Sequence, residues 1–262
     1  MKSSSDKAYL KEIQKKLSSL LKKSLKKFSD EDYHKLRVEI KKLKAISGFL
    51  EFSQKNFSKK KELKPFSKIY TQAGKVRELQ LQYAFLEKEC DGLKNYLDKL
   101  DKQIQKEKKK FASALSKNRN KKISKAVKKI AKHLQKTDDD DVIHFMNNEK
   151  RKIASLIETL PIKTEDAHQL RKILKEDFYN RKRINWPSRS IKEEDDLLTL
   201  LGDWHDRVVL ESQIEKAILM SKRHLGEAVE LERIKELLGL QKHKFFNEIN
   251  NKLEKGGFQF LI

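Results

Sequence analysis

The chain has 262 residues, 38% charged and 37% hydrophobic, with a formal net charge of +22. That is ample material for a core. No stretch approaches the roughly 20 apolar residues of a membrane span, and a single cysteine, Cys90, excludes an intrachain disulfide.

Only three prolines and eight glycines interrupt a sequence dominated by Lys, Leu and Glu, which favours long helices over sheets. Low hydrophobicity with high charge can mark disorder, but here the apolar residues recur at helical spacing throughout. Charge is uneven: residues 1–116 carry 30 basic and 15 acidic residues, a net of +15, and residues 117–262 carry 31 and 24, a net of +7. Self-repulsion at this level points to a polyanionic partner, against the plainer reading of a basic but inert surface. The N-terminus lacks an apolar signal core, so a cytoplasmic protein is expected.

In chain order, residues 6–28 read as a first amphipathic helix with Leu10, Ile13, Leu17, Leu20 or Leu21, Leu25 and Phe28 as its apolar stripe. Ser29 to Asp32 form a helix start, with Ser29 or Asp30 as N-cap and acids in the first turn. The helix that follows, Tyr33 to Phe52, organises the rest of the reading. His34, Arg37, Lys41 and Lys44 fall on one face of it, while Leu36, Ile40, Leu43 and Leu50 make a separate core-facing seam. The pattern breaks near Ser53–Ser58, and a helix from about Lys64 to Glu89 follows with Pro65 in its first turn. Gly74 sits mid-helix there, at a cost of about 1 kcal/mol against alanine, which suggests close approach by another helix. Asp91-Gly92 ends this helix, where Cys90 is expected to pack, and a fourth runs from about Leu93 to Leu115.

Ser116 to Asn120 is the seam expected between two halves, 1–116 and 117–262. A strongly basic helix covers Lys121 to Lys136, Asp138 to Asp141 form an acidic turn, and a helix from about Val142 ends at Leu160-Pro161. Thr164 then caps a helix that repeats the earlier motif. His168 and Arg171 again stand as His-x-x-Arg, and Lys175 lies seven residues after the histidine, as Lys41 does after His34. Asn185 to Ser188 read as a loop, and Ile191 to Met220 as a long helix. Its Gly202 lies 34 residues after His168, as Gly74 lies 40 after His34. A last helix from about Gly226 to Leu253 precedes the tail GGFQFLI, the single stretch with any strand character.

The motifs HKLRVEIKKLKAISGFLEF and HQLRKILK, each followed by a glycine-bearing helix (AGKVRELQ and LGDWHDRVVL), resemble those of the CHAD family, the conserved histidine α-helical domain. The resemblance spans essentially the whole chain. It implies an all-α fold of two helical bundles related by approximate two-fold symmetry, with basic residues lining a central groove. It also implies non-catalytic binding of inorganic polyphosphate, association of some members with polyphosphate granules, and no cofactor. Carried over by position, His34, Arg37, Lys41, Lys42 and Lys44 match the first motif, and His168, Arg171 and Lys175 match the second. After Lys175 the cationic rhythm fails at Glu176, Asp177 and Phe178, and Lys172 and Lys182 are the nearest compensating cations. Arg77 and His205 occupy equivalent places three residues after the two glycines, either at the ligand or bracing the basic helices.

The chemistry fits the residue types. Polyphosphate has no base edges to read, so a line of cations suffices: arginine offers a planar fork and lysine a point charge. Other polyanions would meet the same surface, and the principal alternative is a nucleic-acid-binding helical protein. Against that alternative, no DNA- or RNA-binding motif is present, and Trp186 and Trp204 do not interleave with a basic patch. A helical scaffold for a protein partner would instead show an exposed apolar stripe. No P-loop, glycine-rich phosphate cradle or nucleophile motif supports an enzyme. Asp138–Asp141 lacks the pattern of an EF-hand loop and reads as solvated, and Glu193 to Asp196 read as a helix start. Oligomeric state has no signature.

Overall fold

The computed structural model describes residues 2–23, 28–90, 92–115, 117–184, 191–220 and 225–255. Nine helices and no strand occur among them: α1 (Lys2–Lys22), α2 (Asp30–Ser53), α3 (Lys59–Glu89), α4 (Lys94–Ala114), α5 (Lys117–Leu134), α6 (Asp139–Ile157), α7 (Thr164–Arg183), α8 (Ile191–Met220) and α9 (Leu225–Glu254). The protein is all-α. The loop 185–188, the tail 256–262 and Ser116 of the expected seam lie outside the described residues.

Helix starts follow the caps. At α2, Ser29 is the N-cap, and its backbone N–H donates to the Asp32 carboxylate at 2.8 Å. At α6, Asp138 and Asp141 exchange side-chain and backbone bonds of 3.1 and 2.8 Å, so the acidic cluster serves a helix terminus. Helix α1 ends at Lys22, short of the expected residue 28, and α5 begins at Lys117, inside the expected seam. Two further helix starts need correcting. Helix α3 begins at Lys59, before the expected Lys64, because the Lys59 N–H donates to Glu51 Oε1 at 2.9 Å and Ser58 supplies a further acceptor. Pro65 therefore lies inside the helix, where it cannot donate to the carbonyl of the exposed Lys61. Thr164 is the first helical residue of α7 rather than its cap.

The helices divide into two compact units. The first comprises Met1–Gln80, Lys102–Glu149 and Glu176–Pro187, and the second Leu81–Asp101, Lys150–Lys175 and Ser188–Ile262. Their bounds differ from the halves 1–116 and 117–262. Helices α3, α4, α6 and α7 each contribute to both units.

In the first unit, the predicted seam of α2 (Leu36, Ile40, Leu43 and Leu50) is fully buried. It meets Leu10, Ile13 and Leu17 of α1, Phe66 and Ile69 of α3, Ile123 and Ile130 of α5, and Phe145 of α6 in one apolar core. Phe28, Tyr33 and Phe111 pack ring to ring at 4.8–5.2 Å. In the second unit, α8 and α9 make the most extensive helix pairing in the chain, burying Leu201, Trp204, Ile214, Leu231, Ile234 and Leu238. Cys90 closes α3 there: its Sγ lies 3.0 Å from Glu230 Oε1 and accepts from the Gly92 N–H at 3.3 Å. No described helix is long and apolar enough to cross a membrane.

Candidate functional site

In the first unit, burying Leu36, Ile40 and Leu43 turns the opposite side of α2 outward. His34 on that side is exposed, and Arg37, Lys41, Lys42 and Lys44 are half-buried. Arg37 reaches α3, where its guanidinium carbon sits 4.6 Å from the centre of the Tyr70 ring and Nη1 donates to the Tyr70 carbonyl at 3.2 Å. Gly74 makes this possible. A Cβ there would lie 2.1 Å from Arg37 Nη1, so the close approach expected from the mid-helix glycine is made by a guanidinium. The Tyr70 carbonyl also belongs to the i→i−4 ladder that the Gly74 N–H completes, and the missing side chain opens it to a second donor.

Lys44 shares the same ring, its Nζ 3.5 Å from the Tyr70 centroid. Two cations thus meet the π-system of one tyrosine, an arrangement that favours positive charge. Burial, then the positive charges of Arg37 and Lys59, hold the Lys44 ammonium below the ordinary lysine pKa, with Glu176 acting in the opposite direction. Lys59 bonds both carboxylate oxygens of Glu176, at 3.2 and 3.4 Å, beside Gly48 of α2. Lys42 is tied down within its own helix, 2.8 Å from Glu39. Arg77 is half-buried on α3, seven residues after Tyr70 and so on the same face. The first cluster is therefore Arg37 and Lys44 on Tyr70 with Lys59 near Lys44, His34 and Lys41 following on the same side of α2 and Arg77 on α3.

The second motif is built differently. His168 is half-buried, with its ring 4.5 Å from Trp204 and 5.2 Å from His205, both on α8. Burial, then Lys172 and Arg171, lowers the His168 pKa against the weaker opposite pull of Glu165. His168 is thus biased toward the neutral imidazole and packs at an angle against two rings of α8, whereas the His34 side chain is exposed. Lys175 is held low by burial and then by Arg171, while Asp206 of α8 pulls it up. Asp206 is itself raised, because burial outweighs the opposing influence of Arg171 and Lys175. This cluster holds a carboxyl among its cations.

Gly202 differs from Gly74. A Cβ there would meet nothing within 4 Å, so no close approach occurs at the second glycine. Lys172 is exposed on α7, and Lys182 is exposed in its other half, with Nζ 5.9 Å from the Phe178 ring. Lys182 belongs to the first unit, whereas His168, Arg171, Lys172 and Lys175 belong to the second.

Four participants escaped the motif reading: Tyr70, Lys59, Trp204 and Asp206. Tyr70 precedes Gly74 by four residues and Asp206 follows Gly202 by four, so helical spacing places each one turn from its glycine. Lys59 and Trp204 have no such local mark for a ligand role. Among the described residues no group of three or more His, Cys, Asp or Glu side chains could hold a metal ion.

A family model described as CHAD domain matches residues 8–215. Among solved structures, the crystal structure of the CHAD domain from the plant Ricinus communis superposes with a TM-score of 0.75 at 16% identity, covering 97% of this chain and 92% of that one. No curated protein matches the chain significantly.

Proposed function

This chain belongs to the CHAD family, and from that premise we propose that it binds inorganic polyphosphate without catalysis, through the cations of its two His-x-x-Arg helices. The observation that carries the reading is the geometry of the first cluster. Arg37 and Lys44 share the Tyr70 ring, burial and then the nearby charges of Arg37 and Lys59 depress the Lys44 pKa, and the carboxylate beside them, Glu176, is committed to Lys59. A partly buried cluster of like charges gains when an anion arrives, because the anion relieves the repulsion. Arginine supplies a fork for phosphate oxygens and lysine a point charge. A repeating anion without base edges needs nothing more, and the described contacts around Arg37 include no aromatic platform open to a base: Tyr70 is covered by Arg37 and Lys44.

The test compares long-chain polyphosphate with duplex DNA and single-stranded RNA at matched phosphate concentration near physiological salt. Polyphosphate is expected to bind most tightly, and Arg37→Ala with Lys44→Ala to weaken it and flatten its salt dependence. Tighter binding of either nucleic acid would favour the nucleic-acid reading. Steady release of orthophosphate by purified protein would show an enzyme instead.

A further inference from the structure

Helix α5 takes no part in either cluster, and it carries charge unlike any other described helix. Between Lys117 and Leu134 it has no Asp or Glu, whereas every other described helix has at least one. Ile123, Val127, Ile130 and Leu134 on one side are buried in the core of the first unit. Lys121, Lys125, Lys128 and Lys132 on the other side are exposed. At 100° per residue, offsets of four, seven and eleven put these four within about 60° of one another. The helical rise strings them over about 16 Å.

This arrangement carries an energetic penalty. Like charges three and four residues apart weaken a helix by about 0.2–0.5 kcal/mol per pair. Elsewhere the chain relieves such lysines with acids: Lys42 with Glu39 at 2.8 Å, Lys108 with Asp30 at 2.9 Å, Lys235 with Glu215 at 3.3 Å. Even Lys129, on the flank of α5, pairs with Glu62 of α3. None of the described ion pairs involves Lys121, Lys125, Lys128 or Lys132.

We propose that this face of α5 is a third anion-binding rail, separate from both His-x-x-Arg helices, and that its ligand is a linear inorganic polyphosphate chain. The ligand class rests on the polyphosphate reading above; the rail itself rests on α5. A membrane-surface helix must insert its apolar side, and here that side is buried in the core. Stacking of nucleic-acid bases needs free aromatic rings, and the one ring system on α5, His133, packs against Phe57 at 5.1 Å and bonds Gln54. A protein partner needs apolar anchors, and among the described residues the exposed large hydrophobics lie on or beside other helices. What fits is a flexible anion that offers charge alone.

The test replaces Lys121, Lys125, Lys128 and Lys132 together by Gln, and in a second variant by Arg. Probes are long-chain polyphosphate, phosphatidylserine vesicles and single-stranded RNA. The Gln variant is expected to lose on the order of a hundredfold in polyphosphate affinity near physiological salt, because its log–log salt slope should become shallower by about 3, roughly 0.7 for each cation removed. The Arg variant should keep both. The Gln changes should cost the same factor in an Arg37→Ala/Lys44→Ala background, as expected of independent sites. On the unsubstituted protein, polyphosphate should protect these four lysines from amine-directed labelling read by mass spectrometry, which needs no variant to fold. Unchanged affinity and slope in the Gln variant, or labelling without protection, would overturn the rail while leaving the proposed function standing. Failure of the unsubstituted protein to bind polyphosphate would remove both proposals. Loss of vesicle or RNA binding with polyphosphate binding intact would overturn the rail's assignment to this ligand.

Discussion

Gly74 shows how one missing side chain can place a functional group. In a helix interior alanine is favoured over glycine by about 1 kcal/mol, so Gly74→Ala should leave the fold intact. The new Cβ would meet the far end of a flexible side chain, which can move away cheaply. Moving it takes Arg37 off the Tyr70 carbonyl and ring. Gly74→Ala is therefore expected to keep or raise the melting temperature while lowering polyphosphate affinity as far as Arg37→Ala does, with no further loss in the double variant. Gly202→Ala, with open space around the new Cβ, should gain helix stability and leave affinity alone. Wild-type affinity in Gly74→Ala would mean that Arg37 does not need this position. Lys44 adds a pH signature. Its depressed pKa means that it loses its charge at a lower pH than an ordinary lysine, so affinity should begin to fall with rising pH below the usual lysine range. Bound anion stabilises the charged form, so alkaline binding should take up a proton. Lys44→Arg, which does not titrate, should flatten the profile, and an unaltered profile would remove Lys44 from the site.

Helix α7 explains the failing rhythm of the second motif. The contact units divide it between Lys175 and Glu176, where its cationic pattern stops. Glu176, Asp177 and Asn180 are not degraded phosphate contacts but residues of the first unit. Glu176 bonds Lys59, the buried Asp177 forms an ion pair with Arg181 at 2.6 Å, and Asn180 donates to the Ala45 carbonyl of α2 at 3.3 Å. Arg183 ends the helix almost fully buried, 2.7 Å from Asp6 of α1 and 4.5 Å from the Phe49 ring. Within this set Glu176 alone adjoins the first cation cluster. Glu176→Gln should free Lys59 and remove the negative charge nearest Lys44. Because the side chain is 40% exposed, water screens the effect. Removing about 1 kcal/mol of competing attraction corresponds to a gain of roughly fivefold in polyphosphate affinity. Titration of the variant under matched salt tests this, and weaker binding would show that Glu176 orients Lys59 for the ligand rather than competing with it.

Over the whole molecule, duplication of the motif has not produced two equal clusters. The first unit holds an Arg–Lys pair on one tyrosine with its nearby acid already bonded. The second holds Arg171 and Lys175 with Asp206 among them, and an imidazole packed at an angle against tryptophan. Arg37→Ala with Lys44→Ala should therefore cost more affinity than Arg171→Ala with Lys175→Ala, and its salt slope should flatten more. Asp206→Asn should narrow the gap by removing the internal counter-charge. Equal losses from the two double variants, measured across a salt series with helicity checked, would contradict this asymmetry.

The sequence by itself determined the elements and their faces. Helical spacing of Leu36, Ile40, Leu43 and Leu50 marked a buried seam, and that seam forced Arg37, Lys41 and Lys44 outward whatever the seam packed against. The repeated His-x-x-Arg motif with its trailing glycine was enough to suggest the family. Partnerships across helices were decided only in three dimensions. Tyr70 beneath two cations, Lys59 on Glu176 and Asp206 beside Lys175 join residues separated by 26 to 117 positions in the chain. The same holds for α3, whose start at Lys59 depends on a carboxylate eight residues upstream, across a turn. The two glycines look alike in sequence because a missing Cβ is a local property. What occupies the space it leaves is a property of the neighbouring helix, a guanidinium at Gly74 and open space at Gly202.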